Sequence, residues 1–99
     1  MYSERTVIVN ETGLHARPAG QLAQLAKSYA CAVTVKDIAN PEAVPVNAKS
    51  MMRIMGEAFK NGSVIEVSAD GEGETEAVHA LIAMIDAGFP ESPEAVAAA

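Results

Sequence analysis

The sequence predicts an α+β domain in which a four-stranded antiparallel sheet is covered on one face by three helices, in the order β-α-β-β-α-β-α. Two observations carry most of that reading. Residues 32–36 and 63–69 alternate apolar and polar side chains with the two-residue period of half-buried strands. Around them, apolar residues return every three or four positions, the spacing of amphipathic helices. Glycines and prolines mark each change of period.

Residues 6–9, T-V-I-V, are β-branched and apolar and suit a first strand, which Gly13 ends. From Ala16 the period lengthens. Leu22, Leu25, Ala26 and Tyr29 form one stripe, with Gln21, Gln24, Lys27 and Ser28 opposite, which reads as a helix of about four turns. Residues 32–36 form the second strand, with Val33 and Val35 on one face and Thr34 on the other. Residues 37–45 contain Asn40-Pro41 and Pro45 and read as a loop, after which Val44 and Val46 suit a short edge strand that tolerates Pro45. Asn47 or Ser50 would cap a short helix carrying Met51, Met52, Ile54, Met55 and Ala58, which Asn61-Gly62 stops. Met51 is expected at the surface and Met52 in the core.

Residues 63–69 give the clearest strand, with Ile65, Val67 and Ala69 on one face and Glu66 and Ser68 on the other. The acids of D70-G-E-G-E-T-E76 lead into a last helix, whose dipole favours negative charge at its start. Its buried stripe is Val78, Leu81, Ile82 and Ile85, and Gly88 falls where a left-handed C-cap is expected. P-E-S-P-E-A-V-A-A-A, residues 90–99, has no stripe to bury and is expected to fray. One domain is therefore assigned to residues 1–89 and a flexible tail to 90–99.

Composition narrows the function. At 99 residues the chain can close one core but has little room for a deep substrate pocket, which suits a carrier or binding module. A net charge of −6, with 7 basic residues scattered among 13 acids, argues against nucleic-acid binding and for protein partners. Cys31 is single, which rules out an internal disulfide, and one Cys with two distant His is a poor zinc set. Cys31 is expected as a small buried hydrophobe and His79 as a surface or boundary histidine. The acids of residues 70–76 lack the ligand register of a calcium loop. No cofactor or metal is expected. With no apolar run near the ~20 residues of a membrane span and no leader pattern, the chain reads as cytoplasmic, without membrane insertion.

The chemistry concentrates in G13-L-H-A-R-P-A19. Gly13 turns the chain, His15 stands at the cap position, and Pro18 lies in the first turn, where its missing N–H costs nothing. The backbone N–H groups of Ala16 and Arg17 and the positive end of the helix dipole then make an anion site. Arg17 adds a guanidinium that can fork onto phosphate oxygens. The same positive surroundings disfavour the imidazolium and leave His15 a nucleophilic nitrogen. A lone histidine at a cap more often just hydrogen-bonds locally, so this motif alone does not decide.

The wider pattern does more. G13-L-H-A-R-P-A19, a following helix, V33-T-V35, N47-A-K-S-M-M-R-I-M55 and S63-V-I-E-V-S-A-D-G71 together resemble HPr, the histidine phosphocarrier family of the bacterial phosphoenolpyruvate-dependent sugar phosphotransferase system. The resemblance spans roughly residues 5–88. It implies an HPr-like open-faced β-sandwich and phosphorylation of His15 on Nδ1. Enzyme I would donate the phosphoryl group and enzyme IIA domains would accept it. Arg17 would be the charge partner of the phosphate, with the Ala16 and Arg17 amides as backbone donors. Ser50 matches a serine that HPr kinase/phosphorylase modifies in some lineages, with a transcriptional regulator as a further partner, though it also reads as a plain helix cap. Met51, Met52 and Met55 lie where family members present a partner-binding face, and thioethers suit a surface that fits several proteins. The protein is expected to be a monomer and a protein substrate in phosphoryl transfer, not an autonomous enzyme.

Two departures from the family stand out. Residues 37–46 form a connection about four residues longer than the common forms of that family carry, and Glu57 stands where many members have leucine. The ending I85-D-A-G-F89 resembles a nitrogen-related branch. Two other classes of function stay open at this stage. One is a regulatory module read through phosphorylation of His15 or Ser50; the other is an enzyme using His15 as a general base, for which no partnered acid or pocket is in view.

Overall fold

The computed structural model describes residues 1–9, 13, 14 and 16–89, so the expectations for His15 itself and for the tail at 90–99 lie outside the described residues. Seven elements follow in the expected order: β1 (Tyr2–Val7), α1 (Ala16–Lys27), β2 (Ala32–Asp37), β3 (Val46–Asn47), α2 (Met51–Gly56), β4 (Val64–Asp70) and α3 (Glu74–Asp86). The strands form one antiparallel sheet in the order β1-β4-β2-β3.

The stretch with the cleanest alternation becomes an interior strand. Ile65, Val67 and Ala69 of β4 point to the covered face and are buried, as are Val33 and Val35 beside them in β2. Burying a valine or isoleucine side chain contributes about 1.5–3 kcal/mol, so this row is a main source of stability. Leu22, Ala23 and Ala26 of α1, Ile54 of α2 and Ala77, Val78, Leu81 and Ile85 of α3 close the same core from above. α3 lies across β1, β4 and β2, and α1 packs on α2 and α3. The other face of the sheet is mostly polar: Ser3 meets Ser68 at 2.8 Å and Arg5 pairs with Glu66 at 3.4 Å, with Val7 beside Val64 at its end. The sandwich is therefore open on one side. Cys31 is a free, buried thiol, as expected.

β1 departs most from expectation. It begins at Tyr2 and ends at Val7, where the sequence suggested residues 6–9. Its helix-facing positions are Tyr2, Glu4 and Thr6, polar groups only half-buried because β1 is an edge strand roofed by α3 alone. Thr6 Oγ1 donates to the Asp86 carboxylate, and Glu4 meets His79. Ile8, beyond the strand, is fully buried, and its N–H donates to the Ser63 carbonyl at 2.9 Å.

The remaining differences are in lengths and caps. α1 stops at Lys27, and Tyr29 follows it in a tight turn, its N–H donating to the Ala26 carbonyl at 3.2 Å. β3 holds only Val46 and Asn47, and Val44 stays exposed outside it. α2 ends at Gly56, short of Ala58, whose φ of +53° breaks the helix. Ser50, not Asn47, caps it, while the Asn47 side chain receives the Lys49 N–H at 2.9 Å. Met52 is 76% exposed, contrary to the expectation of a core role: in so short a helix Ile54 alone fills the inward position. Gly88 adopts the left-handed cap foreseen for it, with φ +77°.

Candidate functional site

The chain around residues 10–12 is fastened on both sides by one segment. Before it, the Asn61 side-chain amide donates to the Val9 carbonyl at 3.1 Å, and the Gly62 N–H donates to the Ile8 carbonyl at 2.8 Å. After it, the Leu14 N–H donates to the Phe59 carbonyl at 3.0 Å. Gly13 has φ +67°, and a Cβ there would lie 2.3 Å from the Phe59 oxygen. The glycine is thus required both by its left-handed conformation and by the close approach of backbone. Leu14 is buried in the core.

α1 starts directly after His15. Ala16 and Arg17 are exposed, whereas Pro18 and Ala19 turn inward and are buried. A helix leaves the N–H groups of its first turn without partners inside the helix, so the Ala16 and Arg17 amides belong to its electropositive end. The Arg17 side chain is held: Nη1 donates to the Phe89 carbonyl at 2.8 Å and to Gln21 Oε1 at 3.1 Å. Phe89 reaches this place through a left-handed pair, Gly88 at φ +77° and Phe89 at +57°. The turn is closed by the Gly88 N–H on the Ile85 carbonyl at 3.0 Å and the Phe89 N–H on the Met84 carbonyl at 3.1 Å. The Phe89 ring is buried. No local pattern in the sequence signals this bond between the start of α1 and the end of α3.

The other predicted residues gather on and around α2. Ser50 Oγ accepts the Arg53 N–H at 3.2 Å, and Lys49 Nζ donates to the Tyr29 carbonyl at 2.8 Å, joining the start of α2 to the end of α1. Met51 and Met55 are 40% and 39% exposed, and with Met52 they make an apolar surface on α2. Met51 also borders α1, because a Cβ on Gly20 would sit 3.3 Å from its sulfur. On the other side of α2, Val44, Pro45, Val46, Asn47, Ser50 and Arg53 line a shallow groove. Residues 37–43, which lead to it, are ordered by their own polar groups: Asp37 Oδ1 accepts the Ala39 N–H and Asn40 Oδ1 the Glu42 N–H, each at 3.0 Å.

His79 stays at the surface, but not alone. Its Nε2 lies 2.7 Å from Glu4 and 3.1 Å from the Tyr2 hydroxyl, with the two rings edge to face. The Tyr2 hydroxyl donates to Glu4 and, with the imidazole, holds that carboxyl below its ordinary value of 4.5 against the opposing effect of burial. At the entrance to α3, the Gly71 N–H and then the N-terminal amine lower the Glu74 pKa in the same way. Among the described residues no three His, Cys, Asp or Glu side chains are grouped to hold a metal ion, and no helix is long and apolar enough to cross a membrane.

A first turn rich in N–H donors with an anchored arginine can stabilise a phosphoryl group. Comparison with known proteins agrees with that chemistry. The family described as "PTS HPr component phosphorylation site" matches residues 2–87. The phosphocarrier protein HPr of Haemophilus influenzae is 36% identical over 85 residues, covering 86% of this chain and 95% of that protein. The phosphocarrier protein NPr of Proteus mirabilis is 37% identical over 87 residues, covering 88% and 93%. A crystal structure of HPr-C-His from Thermoanaerobacter tengcongensis superposes with a TM-score of 0.82 at 38% identity, covering 93% of this chain and 99% of that one.

Proposed function

Since the chain belongs to the HPr family of phosphotransferase-system phosphocarriers, we propose that it accepts a phosphoryl group from enzyme I on His15 Nδ1 and passes it to enzyme IIA domains. In the transfer, the Nδ1 lone pair attacks phosphorus. An N–P bond to His15 forms as the donor's N–P bond breaks, and the donor imidazole leaves with the electron pair. Ala16 and Arg17 supply the backbone donors, and the Arg17 guanidinium neutralises charge on the phosphate.

The observation that carries the proposal is the placement of Arg17, exposed in the first turn of α1 and tied down by two hydrogen bonds directly after the G-L-H motif. Met51, Met52 and Met55 form the docking surface in this reading, and Ser50 is a regulatory phosphorylation site for an HPr kinase/phosphorylase. The domain works as a cytoplasmic monomer.

Incubation with enzyme I and phosphoenolpyruvate tests the carrier role. One phosphoryl group should be gained, lost in acid and kept in alkali, because protonation activates a phosphoramidate nitrogen. His15→Ala should abolish labelling and His79→Ala should leave it intact. Labelling that survives in the His15 variant overturns the assignment. A second reading, service in the nitrogen-related branch, is raised by the I85-D-A-G-F89 ending and by the 37% identity to an NPr, which is level with the 36% to an HPr. Faster phosphorylation by a nitrogen-branch donor than by the sugar-branch enzyme I would select it.

A further inference from the structure

Three of the chain's 5 methionines stand on α2, a helix of 6 residues, and all three are exposed: Met52 at 76%, Met51 at 40% and Met55 at 39%. Their exposure has a structural cause. Ile54 alone of α2 is buried, so the helix gives its inward position to one isoleucine and turns the thioethers outward. The other two methionines are placed differently. Met84 is half-buried against the core, and Met1 lies at the entrance to α3, its amine 3.2 Å from Glu74.

The chain's one thiol, Cys31, is buried, which leaves exposed thioethers as the first groups a peroxide meets. In that reaction the sulfur lone pair attacks one oxygen of hydrogen peroxide. The S–O bond forms as the O–O bond breaks, the transferred oxygen gives up its proton, and water leaves. Sulfur loses two electrons and the peroxide gains them. A flexible apolar side chain thereby becomes a polar one. On a surface that must shed water to dock, the new oxygen is an acceptor left without a partner. Resting on the reading of the methionine surface as the face that docks enzyme I, we propose that Met51, Met52 and Met55 are a reversible oxidation site. As sulfoxides they close that face to enzyme I without unfolding the domain, and sulfoxide reductases reopen it.

The test uses the full chain, hydrogen peroxide and enzyme I, and reads the ratio of affinities before and after treatment within each chain. Peptide mass spectrometry should find oxygen on Met52 before Met51 and Met55, and on Met84 last. With the three α2 residues oxidised, affinity for enzyme I should fall by roughly fivefold or more, while the denaturation midpoint stays close to that of the untreated chain. The two methionine sulfoxide reductases, one for each epimer, should restore it. A chain with Met51→Leu, Met52→Leu and Met55→Leu together keeps Met1 and Met84, and its affinity, whatever the starting value, should not change with peroxide. The proposal is overturned if the α2 sulfoxides leave affinity unchanged, if the leucine chain loses as much as the unaltered one, or if the fall comes from unfolding. Met51→Ser, Met52→Ser and Met55→Ser together separate it from the docking reading. If that chain binds enzyme I as tightly as the unaltered one, the docking reading fails and the proposal with it. Weaker binding by the serine chain with no effect of the sulfoxides defeats the proposal alone.

Discussion

At Ser50 one hydroxyl oxygen accepts the Arg53 N–H at 3.2 Å and closes the start of a helix six residues long. Ser50→Ala should cost about 1 kcal/mol of stability through the lost cap, and Ser50→Asp close to nothing, because aspartate caps as well as serine does. That difference separates capping from regulation. If phosphate on Ser50 acts by repelling an acidic partner, the Asp variant should bind enzyme I more weakly than the Ala variant at low salt, and the gap should close at high salt. Equal low-salt affinities would leave Ser50 as a cap only; calorimetric titration of both variants decides. Single residues also show what the sequence reveals of a site. The spacing in G13-L-H-A-R-P18 reveals an arginine in the first turn of a helix, because both parts are local. The Arg17–Phe89 bond and the Glu4–His79 pair join residues 72 and 75 positions apart by way of the tertiary fold, and no local pattern announces them.

For whole elements, legibility follows the share of apolar burial. β4 is interior, its inward positions are Ile65, Val67 and Ala69, and its alternation is plain in the sequence. β1 is an edge strand whose inward side carries Tyr2, Glu4 and Thr6, so its first half looks like surface chain until α3 lies over it. α2 is shorter than two turns and gives the helical period too few residues to choose between Met52 and Ile54 for the core. The structure assigns them opposite duties. Ile54→Ala should destabilise the fold by roughly 2–5 kcal/mol in denaturant titration. Met52→Ser should change stability by less than about 0.5 kcal/mol, since the side chain is 76% exposed. If the methionines are the docking surface, Met52→Ser should nevertheless weaken enzyme I binding by more than about 1 kcal/mol. Full affinity in that variant would remove Met52 from the interface.

Across the molecule, charge fastens the edge strand. Glu4 ties β1 to α3 through His79, and Glu74 at the start of α3 pairs with the N-terminal amine at 3.2 Å. Both carboxyl groups titrate below their ordinary 4.5, Glu4 chiefly through the Tyr2 hydroxyl and Glu74 chiefly through the Gly71 N–H. A carboxyl with a depressed folded-state pKa adds stability that is fully present above its unfolded value and lost as the pH falls through its folded one. Stability should therefore decline as the pH drops below 4.5, and Glu4→Gln should make that decline shallower. Thermal melts between neutral pH and pH 3 would check it, and an unchanged slope in Glu4→Gln would show that the pair adds nothing to the fold. The strand order β1-β4-β2-β3 also imposes a timetable on biosynthesis. Tyr2 pairs with Ala69 and Val7 with Val64, so the first strand to leave the ribosome has no ladder to join until the last one follows. At roughly 5–20 residues per second the separation amounts to several seconds. Through that interval the nascent chain carries an unpaired β1 and a β2 with only β3 beside it, and the emergence of β4 lets the whole sheet close in one step.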